Sequence, residues 1–133
     1  MKVTKCGLFL CEGMPFIGGS PDRMISCDCC GRSCLEIKCP YSIRHTKPTD
    51  PEINLPFLKR SSNLVSLNEK HKYYTQCQVQ MAVTQVMHSY FFVWTPHGRF
   101  LQKLNFNQEY WNKLKQDFEE FYSNYYVPYL FQC

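Results

Sequence analysis

The chain has 133 residues, 44% of them hydrophobic and 16% aromatic, with a formal net charge of +4. That length suits one domain with a real core, and that composition excludes an intrinsically disordered polymer. No run approaches eighteen apolar residues, which excludes a membrane-spanning helix of ordinary hydropathy, while the mild positive charge suits a polyanionic partner without identifying one.

Val3 to Cys11 mixes apolar and polar residues as a strand does, until Gly13 and Pro15 break it. Phe16-Ile17 resumes the extended pattern, and Gly18-Gly19-Ser20-Pro21 forms a tight turn that delivers Asp22. Met24 to Cys27 and Cys34 to Lys38 read as the two strands of a hairpin, with residues 28–33, including Gly31, as its turn. Pro40 to Pro56 holds four prolines and reads as a loop with about one helical turn. Leu64 to Leu67 fits a short strand. From about Glu69 to Met87 the pattern turns helical, with Asn68 as the expected N-cap. On that helix Tyr73, Gln76 and Gln80 share a face. Tyr90 to Thr95 is the strongest strand of the chain, and Phe100 to Phe106 alternates as its partner across Pro96-His97-Gly98. Asn107 caps a last long helix to about Tyr122, with Trp111, Leu114, Phe118 and Phe121 expected inside. The tail, Tyr125 to Cys133, reads as an aromatic packing segment or short helix.

Chemistry concentrates at two runs, Ser20-Pro21-Asp22 and Leu35-Glu36-Ile37-Lys38. In a strand, residues two apart point the same way, so Glu36 and Lys38 share one face, and Leu35 and Ile37 are expected to bury the other. Antiparallel pairing of the hairpin brings Asp22 across from Glu36. Two carboxylates can hold a hard cation such as Mg²⁺, and an ammonium beside it can orient an attacking water or steady a developing oxyanion. Those are the requirements for hydrolysing a phosphodiester. The same triplet also occurs as a solvated surface ion pair, and Tyr73, Gln76 and Gln80 could equally satisfy backbone groups.

Nine cysteines demand a reading of their own. Met1 to Lys5 leads into no apolar stretch of signal-peptide length, so an intracellular, nuclear setting is expected, where thiols stay reduced. Cys27, Cys29, Cys30 and Cys34 cluster tightly enough to bind Zn²⁺, or else stand as free thiols on the hairpin.

Four segments, taken together, carry a resemblance: Gly19-Ser20-Pro21-Asp22, Leu35-Glu36-Ile37-Lys38-Cys39-Pro40, Tyr73-Tyr74-Thr75-Gln76-Cys77-Gln78-Val79-Gln80-Met81 and Phe92-Val93-Trp94-Thr95-Pro96. Their order and content resemble the PD-(D/E)xK nuclease superfamily, and within it the YqaJ-like viral recombinase domain, related to the lambda-type alkaline exonuclease. The cysteine-rich hairpin before the acid-x-Lys strand looks most like versions carried in animal genomes and linked to mobile elements. The resemblance implies an α/β fold, a mixed sheet flanked by helices around a restriction-endonuclease-like core, as a single domain over residues 1–133. It implies Mg²⁺- or Mn²⁺-dependent 5′-to-3′ exonuclease action on the ends of linear duplex DNA, with self-association into a homo-oligomer. Asp22 and Glu36 would hold the metal, with the Ile37 carbonyl as a further ligand. Lys38 would position or activate the water, Gln76 would support it, Tyr73 would stand beside it, and Gln78 and Gln80 would contribute less.

The sequence departs from the family pattern at two places. Arg23 stands where the family usually has glycine. Only 21 residues precede Asp22, so the family's N-terminal helical region and its additional acid are expected to be missing, with Glu12 as the available substitute. A decayed, DNA-gripping relative without catalysis and a zinc-stapled interaction domain are the competing readings.

Overall fold

The structure is a computed structural model that describes residues 1–131. Five strands form the main sheet: β1 (Lys2–Thr4), β4 (Arg23–Cys27), β5 (Gly31–Lys38), β8 (His88–Thr95) and β9 (Gly98–Asn105), in the order β1-β4-β5-β8-β9. Two short hairpins stand apart from it, β2 (Phe9–Cys11) with β3 (Met14–Gly19) and β6 (Leu58–Ser61) with β7 (Leu64–Leu67). The expected strand over Val3 to Cys11 is therefore two strands in different sheets, separated at residues 5–8. Every pairing in the main sheet is antiparallel except β5 with β8, which is parallel. A parallel pair needs a long crossover, and here it contains β6, β7 and helix α1 (Lys72–Thr84). Helix α2 (Gln108–Phe121) follows β9, and a π-helical turn (Tyr122–Tyr126) leads into α3 (Val127–Leu130). The expected tail segment extends past this helix, and residues 132–133 lie outside the described residues.

The helix α1 lies over one sheet face and makes the core with it. Cys34, Phe91 and Val93 from the sheet meet Cys77 and Met81 from α1, all five fully buried, together with Leu67 and Phe57 from the β6–β7 arm. Fully burying side chains such as Phe91, Val93, Met81 and Leu67 is worth about 1.5–3 kcal/mol each. A second, smaller cluster joins Met14 and Ile17 of β3 to Val83 of α1 and Trp111 of α2, with Leu114 and Phe118 half-buried against it. Phe121, expected inside, is 59% exposed and stacks instead on Tyr125 in the turn beyond α2.

The sheet reverses one expectation. Glu36 and Lys38 lie on the helix-covered face, and Glu36 is only 3% exposed. Leu35 and Ile37 lie on the opposite face, where Ile37, Trp94 and Leu101 are 37%, 47% and 58% exposed. The alternation is as read. The covered side is the other one, because α1 brings its amides to the polar side of β5.

The start of α1 also shifts. His71, not Asn68, is its N-cap, and the His71 Nδ1 accepts from the Tyr73 N–H at 3.1 Å. Asn68 closes the preceding turn, accepting from the Lys70 N–H at 3.1 Å. Asn107 caps α2 as expected, accepting from the Tyr110 N–H at 3.0 Å.

Candidate active site

The site begins at the hairpin. Arg23 pairs with Leu35, so the next residue outward on each strand, Asp22 and Glu36, lie across from each other. Asp22 Oδ2 accepts from the Ile37 N–H at 2.7 Å, a bond that fixes the carboxylate beside the β5 backbone between Glu36 and Lys38. In an extended strand a residue's N–H and C=O project to the same edge. The Ile37 carbonyl therefore shares the edge at which Asp22 lies.

Helix α1 supplies the other half. Gln76 Nε2 donates to Glu36 Oε1 at 3.0 Å, and Gln80 Nε2 donates to Glu36 Oε2 at 3.0 Å. Lys38 Nζ donates to Glu36 Oε1 at 3.0 Å and to Gln76 Oε1 at 3.2 Å. A buried carboxylate is tolerable only with such compensation, and three donors provide it. The Lys38 ammonium also sits over the Tyr73 ring, 4.1 Å from its centroid, in a cation–π contact.

Gln80 has a second task. Its Nε2 also donates to the Ser20 carbonyl at 3.4 Å, tying the turn that presents Asp22 to the same helix. Both neighbours of Nε2 are acceptors, which fixes the amide orientation and leaves Gln80 Oε1 buried without a partner among the described residues. Close approach of this turn to the helix is eased by Gly19, where an added Cβ would come within 3.1 Å of Val83 Cγ2 and press that side chain aside. The family resemblance gives Gln80 a lesser part than Gln76, yet their i, i+4 spacing lets both reach one carboxylate.

The remaining candidates divide. Gln78 lies on another face of α1, fully buried, and ties the β9–α2 junction by donating to the Asn105 carbonyl at 3.1 Å and accepting from the Asn107 N–H at 2.9 Å. Glu12 is exposed on the β2–β3 turn and accepts from Gln85 Nε2 at 2.9 Å. Gln85 follows Gln80 by five residues on the far side of α1's C-terminus, so Glu12 does not join Asp22 and Glu36. Arg23, at the departure from the family pattern, turns back on its neighbour and donates to the Asp22 carbonyl at 2.6 Å. Of the four clustered cysteines, Cys27, Cys29 and Cys30 lie together at the hairpin tip, while Cys34 does not. Cys34 is fully buried, 3.3 Å from Thr84 Oγ1, because the alternation of β5 aims it into the core. Cys77, behind Glu36, has its thiol pushed up to about 12, first by burial and then by the Glu36 carboxylate, so it fills space as a neutral thiol.

The His71 imidazole is held below its usual value near 6.5, first by burial and then by the Lys72 and Lys38 charges. A histidine so depressed supports folding above 6.5, and that support is lost as pH falls, since the unfolded chain takes up the proton first. Protonation of Nδ1 would also remove the acceptor of the helix cap. The stability of wild type relative to His71→Asn, an uncharged cap, should therefore decline as pH falls below about 6.5, measured by urea unfolding at a series of pH values.

Asp22, Glu36 and the Ile37 carbonyl would offer a hard divalent cation the oxygen donors that suit it. Their charge fits as well, since two carboxylates exceed the single ammonium of Lys38.

A family model for the YqaJ-like viral recombinase domain matches residues 1–87, a span that includes Asp22, Glu36, Lys38, Gln76 and Gln80. The fold is similar to that of an alkaline exonuclease from Laribacter hongkongensis, with a TM-score of 0.66 and 20% identity over 97% of this chain and 60% of that one. The structure of the same exonuclease in complex with dAMP matches with a TM-score of 0.67, again at 20% identity and over the same shares of the two chains. This chain thus spans about three-fifths of the length of those structures. No curated protein matches it in sequence. With the family model covering well over half its length, and with the mixed sheet and flanking helices of an alkaline exonuclease, this chain belongs to the YqaJ-like viral recombinase domain family.

Proposed function

We propose that this chain is the core of a divalent-metal-dependent deoxyribonuclease that hydrolyses phosphodiester bonds from the 5′ ends of linear duplex DNA. The observation that carries this reading is the convergence of Asp22, Glu36, Lys38 and Gln76. Asp22 is bonded to the backbone between the other two β5 groups, and Lys38 links Glu36 to Gln76. The similar exonuclease binds dAMP, which has the form of a product of such cleavage.

Asp22, Glu36 and the Ile37 carbonyl would hold Mg²⁺ or Mn²⁺, which when bound polarises the scissile phosphate and lowers the pKa of a coordinated water. The chain's own groups do the positioning. The Lys38 ammonium has three N–H bonds. Glu36 and Gln76 take two of them, and the third is left for a water or a phosphate oxygen. Tyr73 covers the ammonium from one side and limits the directions it can turn. Gln76 holds both Lys38 and Glu36, so it sets the spacing between the ammonium and the carboxylate.

The test is release of mononucleotides from duplex DNA labelled at the 5′ or the 3′ end, with a closed circular duplex as control. Mg²⁺-dependent release from the 5′-labelled end, abolished by a chelator and by Asp22→Ala, is the expected result. Metal-dependent release no greater than that of a folded Asp22→Ala variant would sink the nuclease reading. It would leave a DNA-gripping module.

A further inference from the structure

Far from this site, the hairpin tip carries a second group of metal-ligating side chains. β4 separates the tip from Asp22 by a whole strand, about 16 Å at ~3.3 Å per residue. Here Cys27, Cys29 and Cys30 hold their sulfurs within 4.8 Å of one another. Cys27 Sγ lies 3.3 Å from Cys29 Sγ, and Cys29 Sγ lies 3.2 Å from Cys30 Sγ. From these observations we infer that Cys27, Cys29 and Cys30 form a three-thiolate site for a single zinc ion, its fourth position open to solvent.

Three features carry this inference. The first is spacing. Bonds of about 2.3 Å from a tetrahedral zinc place its sulfurs about 3.8 Å apart. The Cys27–Cys29 and Cys29–Cys30 pairs need spread by only about half an ångström to reach it. A disulfide between the adjacent Cys29 and Cys30 is disfavoured, because neighbouring residues have Cα atoms ~3.8 Å apart, short of the ~4.4 Å at which bridges begin.

The second is the backbone. The Cys30 N–H donates to Cys27 Sγ at 3.2 Å, and a donor aimed at a sulfur favours its thiolate form. The turn that folds the three thiols inward depends on Gly31, at φ +75°, opposite Cys27 in the last pair of the hairpin.

The third is charge. Three thiolates around Zn²⁺ leave a net charge of −1. Lys2 and Arg32 line the same hollow as Cys27, two cations against the single acid Asp28. Thiolates select soft ions, whereas the oxygen set at Asp22 and Glu36 selects hard ones, so the two sites need not compete. Each thiol that binds gives its proton to solvent, so three are released when all three ligands were protonated.

Such an ion would clamp the Cys27–Gly31 end of the hairpin whose other end presents Asp22 and Glu36. It would act on hairpin register and not on the reaction.

The test uses the whole chain, reduced and stripped of metal, titrated with Zn²⁺ against a chromophoric chelator and separately with Cd²⁺. The expected result is one equivalent of tightly bound zinc, a thiolate-to-cadmium charge-transfer band and three thiols protected from alkylation. All three readouts should survive in Cys39→Ser. In the Cys27→Ser/Cys29→Ser/Cys30→Ser variant the band should vanish and zinc affinity should fall at least about tenfold. Zinc should raise the thermal midpoint of wild type and leave that of the triple variant unchanged. The three cysteines are half-buried to exposed, so the metal-free triple variant should unfold where metal-free wild type does. The single variant Cys29→Ser, which removes the central sulfur, is the second check. A missing charge-transfer band in wild type, or one that persists in the triple variant, overturns the inference. None of these readouts depends on nuclease activity.

Discussion

Alanine in place of Lys38 should slow phosphodiester cleavage by about 10²–10³-fold while the protein still folds. The side chain contributes its ammonium, held between Glu36 and Gln76 and over Tyr73. It is 19% exposed, against 4% for the Glu36 side chain, so its loss leaves Glu36 without a cation but opens a path for water to that carboxylate. Glu36 keeps its two amide donors from Gln76 and Gln80. Lys38→Arg should not restore the rate, because a planar fork cannot donate from one point to the two oxygens that now share the ammonium. The check is kcat on end-labelled duplex at saturating DNA, beside a urea unfolding curve. A rate within a few-fold of wild type would remove Lys38 from the reacting centre.

Replacing Glu36 with alanine should do more harm to the fold than any other change at the site. It removes the shared acceptor of Lys38, Gln76 and Gln80, and the buried Gln80 amide then faces a cavity. Breaking a buried pair by deleting one partner costs about 3–5 kcal/mol. That is a large part of the ~5–15 kcal/mol that holds a domain together. The urea midpoint should therefore drop steeply, and activity should be lost with it. Asp22→Ala separates the two effects. Asp22 is only half-buried and gives up a single backbone bond, so its variant should lose activity and keep most of its stability. A Glu36→Ala protein as stable as wild type would mean that α1 does not depend on this carboxylate for docking.

The hairpin half of the site was legible in the sequence because it is local. Asp22, Glu36 and Lys38 belong to strands joined by one short turn, and the period-two rule placed both β5 groups on one face. Which face is covered was not legible. Leu35 and Ile37 are more apolar than Glu36 and Lys38, and pattern alone buries them. The structure buries the acid because α1 carries Gln76 and Gln80 down to it, and a glutamine on a helix reads the same whether it faces solvent or a carboxylate. The N-cap failed for a related reason. Asn68 has the stronger cap propensity, yet its side chain serves the turn before the helix and leaves the cap to His71. Cys34 left the cysteine group because alternation turns it to the core, a fact that spacing along the chain conceals.

The parallel pairing of β5 with β8 has a kinetic consequence. It joins Cys34 to Ser89 and Lys38 to Val93, across a loop more than fifty residues long. The bond from the Ile37 N–H to Asp22 closes a loop of 15 residues, whereas Gln80 reaches Glu36 across 44. Loop-closure entropy alone makes the longer closure costlier by about 1 kcal/mol, and non-local pairing slows folding further. The carboxylate edge can thus form within a small hairpin before the helix arrives. The amides that hydrogen-bond Glu36 come after the hairpin, so the charge at the centre of the site stays hydrated until the docking helix expels its water.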